Sequence, residues 1–192
     1  MFKSLKIIVC CDAKEGIGFE DKLPWNIAEE MRLFRDKTIG NKNNCVIMGR
    51  ATFESIPEKY RPLKDRHHYV LSRNEENINH KNVEVVHSIE SLLEKVESST
   101  FDEYWIIGGK SIYETFLCDP MMDHVDEIHL SILHEAYTCD TFLPVMTRLR
   151  DRDTITMQKT IYKEFTHYII CQNRDYLWYP YHNRLDFLFC NQ

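Results

Sequence analysis

The stretch Tyr104-Trp105-Ile106-Ile107-Gly108-Gly109-Lys110-Ser111-Ile112-Tyr113 decides the fold. Its first four residues form a continuous apolar run, which reads as a buried strand. Two glycines end the strand, and Lys110–Leu117 reads as a helix. The same grammar recurs on both sides. Leu5–Cys11, Cys45–Met48, His68–Leu71, Val83–Val86 and Val125–Leu133 read as strands. A helix is expected from Asn26 to about Lys37, with Asn26 as N-cap and Glu29 completing a capping-box pair. Further helices are expected near Thr52–Ser55 and from Ser88 to about Val96. Thr154–Ile161 and Phe165–Gln172 read as a closing hairpin. Strands alternating with helices predict an α/β fold with a mostly parallel sheet and an antiparallel C-terminal edge. Ligands of such sheets bind beyond the carboxyl ends of the strands. Gly49 and Gly108-Gly109 fall at those ends.

A chain of 192 residues suits one domain. It is 43% hydrophobic and 28% charged, so disorder, collagen-like repeats and coiled coil are excluded. The net charge of -6 argues against nucleic-acid and membrane-surface partners. Between Arg50 and Arg73, however, six Lys/Arg face three Asp/Glu, which suggests a small-anion site or a solvated loop. Seven cysteines without a Cys-x-x-Cys pair give neither a disulfide framework nor a zinc site; reduced thiols in a cytoplasmic setting fit. His124, His129 and His134 recur every five residues, a spacing that holds no helical or strand face. No segment reaches the length of a signal-peptide core or a membrane span. Only six glycines occur, so each is expected where the backbone needs positive φ or close approach.

Three constellations could carry chemistry. Ile27, Met31 and Phe34 share an apolar arc of the first helix, and Glu30 falls at its edge. An unpaired carboxylate there is costly, so Glu30 is either functional or turned to solvent. The second constellation is strand–Gly108-Gly109–helix, whose backbone N–H groups favour phosphate. Gly109-Lys110-Ser111 copies the end of a P-loop, but the required earlier glycine is Tyr104. The third is Arg50 and Arg73, each ending a strand, with Arg66 behind the Pro57 and Pro62 turns. They match a phosphate or carboxylate, or form surface ion pairs.

Six strings in register resemble the dihydrofolate reductase family. They are Ile17–Trp25 with Glu30, Val46–Arg50 with Thr52, Ser55–Lys64, Val70–Arg73, Ile106–Gly109 with Tyr113, and Asp140–Pro144. The resemblance runs from about Leu5 to Arg174. It implies an eight-stranded sheet with helices on both faces, in a domain spanning 1–174. It also implies an NADPH-dependent oxidoreductase of one-carbon metabolism that reduces 7,8-dihydrofolate to tetrahydrofolate. Hydride would pass to pterin C6, and N5 would gain a proton.

The family's site residues carry over one by one. Glu30 matches the acidic group of the pterin pocket, Ser131 the hydroxyl that supports it, and Trp25 the residue that holds a bridging water. Desolvation beside Met31 and Phe34 should raise the Glu30 pKa. Met31, Phe34, Ile56 and Leu63 match the apolar walls. Arg66 matches the clamp on the substrate's α-carboxylate. Ile8, Val9 and Cys10 match first-strand backbone near pterin and nicotinamide. Ile107 matches a carbonyl and Tyr113 a phenol beside the pterin. On the cofactor side, Arg50, Ser72 and Arg73 match contacts to a 2′-phosphate, favouring NADPH over NADH. Ile17, Gly18, Gly49, Thr52 and Leu71 are further expected cofactor contacts. So are Lys110, Ser111 and Ile112 after Gly108-Gly109, a pair that matches a cis peptide in the family.

This chain departs from the family pattern at Cys10, usually alanine, and at Asp65, usually glycine. Lys110, Phe53 and Ala51 also differ. Cys10, Asp65 and the aromatic 175–192 tail keep a non-catalytic folate- or partner-binding protein as an alternative. A monomer is expected. The 175–192 tail holds six aromatics, too many for disorder. It packs on the domain or docks a second copy or another enzyme.

Overall fold

The computed structural model describes residues 3–73, 78, 80–149 and 155–172. The 175–192 tail therefore lies outside the described residues. The chain runs β1 (Leu5–Cys11), β2 (Gly16–Gly18), α1 (Ala28–Ile39), β3 (Asn44–Gly49), α2 (Arg50–Ser55), β4 (Arg66–Leu71) and β5 (Val83–Val86). It continues α3 (Ile89–Ser98), β6 (Tyr104–Gly108), α4 (Lys110–Phe116), β7 (Val125–Leu133), β8 (Thr141–Phe142), α5 (Val145–Leu149), β9 (Ile155–Ile161) and β10 (Phe165–Gln172). Eight strands form one sheet in the order β5-β4-β3-β6-β1-β7-β10-β9. Pairing is parallel from β5 across to β7. It is antiparallel at β7–β10 and β10–β9. The expected antiparallel C-terminal edge is therefore present. β2 and β8 form a separate two-stranded ribbon.

The two faces of the sheet differ in chemistry. Leu5, Ile7, Val9, Cys45, Ile47, Tyr104, Ile106, Ile128 and Leu130 belong to one apolar core with Leu92 and Val96 of α3 and Phe116 of α4. Alternate residues of the same strands point the other way. That second face carries Ile8, Val46, Met48, Val70 and Trp105. It also buries Asn44, Arg66, His68, His129, Ser131 and His167, alongside Glu30 and Thr38 of α1. A buried polar group costs free energy unless paired. Polarity confined to one face thus marks that face as the working one.

Several expectations need correction. Helix α1 starts at Ala28 with Ile27 as N-cap, and no side chain caps it. The reason is burial: Ile27 packs with Trp25, Leu133 and Phe165 and fixes where the chain turns. Asn26 stays outside, and Glu29 instead faces Arg32 at 3.6 Å. β4 opens at Arg66 rather than at His68, because Asn44 of β3 is the register partner of Arg66. Val125–Leu133 does not alternate in burial. Both of its faces are covered: Ile128 and Leu130 lie in the apolar core, and His129 and Ser131 are buried on the opposite face, where Trp105 packs on His129. Ser88 does cap α3, accepting from the Ser91 N–H.

The buried histidines set an acid limit on stability. Burial pushes His68 and His167 down to about 4 and holds His129 below its ordinary value. A group with a depressed folded-state pKa binds fewer protons folded than unfolded. Its contribution is complete above about pH 6.5 and is lost as pH falls toward 4. The loss reaches about 3 kcal/mol for each of His68 and His167 as an upper bound. Urea unfolding at pH 7, 5.5 and 4 should show a steep decline across that window. His68→Phe should flatten it, and a level profile in the parent would contradict this account.

Candidate active site

The site lies on the sheet face under α1, from the carboxyl ends of β1, β3, β6 and β7 to Arg66 at the start of β4. Glu30, in the first turn of α1, is 4% exposed. The Ser131 hydroxyl and the Cys10 thiol are the side chains that act on its carboxyl. Both partners are fixed by the sheet, since Cys10 and Ser131 are register neighbours on β1 and β7. Burial raises the Glu30 pKa, and Ser131 and Cys10 oppose the rise. Burial and the Glu30 carboxylate both raise the Cys10 thiol, so it acts as a donor and stays un-ionised. Trp25 packs edge-on to Tyr137 at 5.6 Å. Its indole N–H is buried without a partner among the described residues. An unmatched buried donor suits a water or ligand acceptor.

Phe34 and Ile56 pack with Ile8, Phe53 and Trp105 on the polar face of the sheet. Ile107 joins the same cluster. Met31 is 41% exposed and lines the open side. Val9 points into the opposite core, so only its backbone faces the site. The Ile8 carbonyl accepts the Tyr113 O–H at 2.8 Å. Leu63 is tied down by His68, whose Nε2 accepts the Leu63 N–H at 3.1 Å.

Arg66 is 6% exposed. Its Nε donates to the Lys64 carbonyl at 3.0 Å and its Nη1 to Thr38 Oγ1 at 2.7 Å. The guanidinium lies 6.0 Å from the Phe34 ring centroid. Burial lowers its pKa to about 10, with Asp65 opposing, so it is charged at neutral pH. Glu30, Phe34 and Thr38 stand four residues apart on one helix face. The carboxyl and the guanidinium are therefore about 12 Å apart along α1.

On the other side, β3 and β6 pair Met48 with Gly108. The Gly108-Gly109 peptide is cis, and Gly108 has φ +108°. A Cβ on Gly109 would lie 2.9 Å from Thr52 Oγ1, and one on Gly49 would lie 3.4 Å from Ile112 Cγ1. Gly49, Thr52, Gly109 and Ile112 thus meet, while Lys110 and Ser111 are exposed on the first turn of α4. Leu71 is the register partner of Gly49. Ser72 and Arg73 follow it, so Arg50 and Arg73 stand at adjacent strand ends. Ile17 and Gly18 sit on the β2–β8 ribbon.

The sequence reading missed several residues of this region. Buried Asp12 accepts the Lys14 and Gly16 N–H groups at 2.8 Å and the Tyr137 N–H at 2.7 Å, anchoring the loop before β2. An aspartate just after a strand is a turn signal that could have found it. Thr38, His68, His129 and His167 left no periodic signal.

Comparisons place these features among known proteins. The family described as dihydrofolate reductase matches residues 4–172. The dihydrofolate reductase of Candida albicans is 42% identical over 136 residues, covering 67% of this chain and 69% of that protein. That of Heliothis virescens is 32% identical over 174 residues, covering 84% and 92%. A bifunctional dihydrofolate reductase-thymidylate synthase of Arabidopsis thaliana is 36% identical over 151 residues, covering 73% of this chain. The chain spans 26% of that bifunctional relative. Among solved structures, dihydrofolate reductase from Enterococcus faecalis complexed with NADP(H) and RAB-propyl superposes with a TM-score of 0.72. It is 26% identical, and the match covers 88% of this chain and 96% of that one.

Proposed function

The chain belongs to the dihydrofolate reductase family, and we propose that it reduces 7,8-dihydrofolate to tetrahydrofolate with NADPH. The face of α1 carries this reading: a buried carboxyl and a buried guanidinium stand at its two ends with apolar walls between. A carboxylate offers two acceptor oxygens, which suits the adjacent donors of a pterin 2-amino group and N3. A guanidinium suits the carboxylate of a glutamate tail through parallel hydrogen bonds. When bound, NADPH supplies the hydride for pterin C6.

The residues present fit that cofactor. The cradle where Gly109 meets Thr52 leaves no room for a side chain at residue 109 and would admit a pyrophosphate to the backbone. Arg50, Ser72 and Arg73 would hold its 2′-phosphate. Glu30, raised by burial, would keep a proton available to pterin N5. Trp25 Nε1 would hold the intervening water. Phe34, Ile56 and Leu63 would exclude bulk water from the ring.

Purified protein should consume NADPH only when dihydrofolate is added. NADPH binding without dihydrofolate-dependent oxidation would favour the folate- or partner-binding reading instead. A monomer in the cytoplasm is the proposed state, and the six free cysteines among the described residues support a reducing compartment. No helix among the described residues is long and apolar enough to cross a membrane.

Asp65 offers a sharper test of Arg66. It sits at φ +59°, a conformation glycine adopts freely, and its charge acts on the Arg66 guanidinium. Asp65→Gly should lower the KM for dihydrofolate about two- to fivefold, the range for a partly exposed charge pair. An unchanged KM would show that Asp65 does not compete for Arg66.

A further inference from the structure

Behind Glu30 the polar face of the sheet holds a continuous row of hydrogen-bonding side chains that the proposed reaction leaves unused. Ser131 Oγ lies 3.1 Å from His167 Nδ1. His167 Nε2 lies 3.2 Å from His129 Nδ1. His129 Nε2 lies 3.0 Å from Glu127 Oε2. The sheet dictates this row: residues 127, 129 and 131 alternate onto one face of β7, and His167 is the register partner of Ser131 on β10. Ser131, His129 and His167 are 1%, 2% and 4% exposed. The Glu127 side chain is 32% exposed and reaches solvent. From Ser131 to Glu127 the row runs about 13 Å toward the amino ends of the parallel strands, on β7 and four strands from Arg66. Trp105 closes its flank, edge-on to His129 at 5.0 Å. Two apolar residues would fill this space without the desolvation cost of two imidazoles.

We propose that Ser131, His167 and His129 form a proton wire that joins Glu30 to solvent at Glu127, so that the carboxyl is reloaded from behind while ligands cover its front. This rests on the reading of Glu30 as the proton-handling group. The hydrogen-bond roles follow from the ends. An ionised Glu127 only accepts, so His129 carries its proton on Nε2. Neutral His129 then accepts at Nδ1 from His167 Nε2–H, and His167 Nδ1 accepts the Ser131 O–H. Ser131 has no second hydrogen, so it accepts one from protonated Glu30. With both carboxylates ionised the two ends compete for one row of donors, and taking up a proton resolves the conflict.

In the opposite polarity Glu127 is protonated, and both rings carry their proton on Nδ1. Reloading is then a shift of four protons. The Glu127 O–H breaks as His129 Nε2–H forms, and His129 Nδ1–H breaks as His167 Nε2–H forms. His167 Nδ1–H breaks as Ser131 Oγ–H forms, and the original Ser131 O–H breaks as the Glu30 O–H forms. One proton is transferred overall, no electron is lost, and water re-protonates Glu127. The surrounding groups are charged Lys37 of α1, which acts on both rings, and the un-ionised Cys10 thiol, which acts on Glu30. Lys6 contacts Glu127 at 3.4 Å and Glu103 at 2.7 Å. Burial and Lys37 keep both rings neutral near pH 7, as relay groups must be.

The test uses Glu127→Gln, His167→Phe and His129→Phe. Glu127→Gln is a surface change that keeps a hydrogen-bonding group but cannot pass a proton, so it stays informative if a buried variant fails to fold. In the protein without ligands, the Glu30 carboxyl band is followed by infrared titration and assigned with Glu30→Gln. Release of Ser131 to donate to ionised Glu30 should lower the proton affinity of Glu30 about tenfold in each variant. In single turnovers at pH 8, oxidation of bound NADPH by dihydrofolate should slow at least tenfold in Glu127→Gln, with both KM values within twofold. The dependence of that rate on deuterium fraction should change from curved to linear. Parent-like titration and parent-like single-turnover rates would overturn the wire. Absence of turnover in the parent would overturn the reductase reading alone, because the infrared titration tests the wire without it.

Discussion

Glu30→Gln lowers turnover of dihydrofolate at pH 7 by about 100-fold or more, the scale of a lost general acid. The glutamine keeps two of the hydrogen-bonding positions but neither ionises nor releases a proton. The remaining activity should also lose its pH dependence. In the parent, burial raises the Glu30 pKa, so the protonated form persists to higher pH than for an exposed glutamate. Activity should fall as pH rises through that raised value. Stability should move the other way. A carboxyl whose folded pKa is raised contributes stability only below its unfolded value and loses it as pH rises. Above its raised folded-state pKa the parent holds a buried carboxylate at a cost that Glu30→Gln removes. The variant should melt higher than the parent while turning over far less. Equal turnover, or a loss of activity together with a lower melting temperature, would count against this assignment.

That opposition between stability and chemistry explains what was legible in the sequence. Leu5–Cys11, Val83–Val86 and Phe165–Gln172 were readable to the residue because apolar or alternating patterns record burial directly. Glu30 was visible as a charge on the edge of an apolar arc. The start of α1 was misread because a local rule at Asn26 lost to the packing of Ile27 against Phe165, more than a hundred residues away. The ribbon of β2 and β8 is three residues against two, too short for any period to show. His129 and His167 were opaque for a different reason. A single histidine in a strand carries no pattern, and its meaning depends on which residue lies opposite. That His167 faces Ser131 is a fact of register, set by the whole sheet. The same holds for Arg66, which reads as a loop cation until Asn44 pairs with it and Thr38 accepts its Nη1. Local chemistry was readable, whereas side chains whose partners lie across strands needed the fold.

Gly108→Ala should be the most damaging substitution outside Glu30. Gly108 has φ +108°, a region that L side chains rarely adopt, at a cost of about 1–3 kcal/mol. An added Cβ would also stand 2.8 Å from Tyr113 Cε2 and 3.0 Å from Cζ. The ring has little room to move, since Tyr113 is 7% exposed. Its hydroxyl donates to the Ile8 carbonyl at 2.8 Å on the strand that also presents Cys10 to Glu30. Displacing the ring leaves a buried carbonyl without its donor, about 1–3 kcal/mol more. The two effects share one side chain and will not simply add. A loss of about 3 kcal/mol in stability is expected, with turnover down about 100-fold because β1 and the cofactor cradle move together. Gly49→Ala is the contrast. Its φ is an ordinary −77°, and its Cβ would meet Ile112 Cγ1 at 3.4 Å, which a side-chain adjustment relieves. It should raise the KM for NADPH severalfold and leave the melting temperature within a few degrees. If Gly108→Ala behaved like Gly49→Ala in both melting and turnover, the rigid link from Tyr113 to Ile8 would not be what holds this corner of the site.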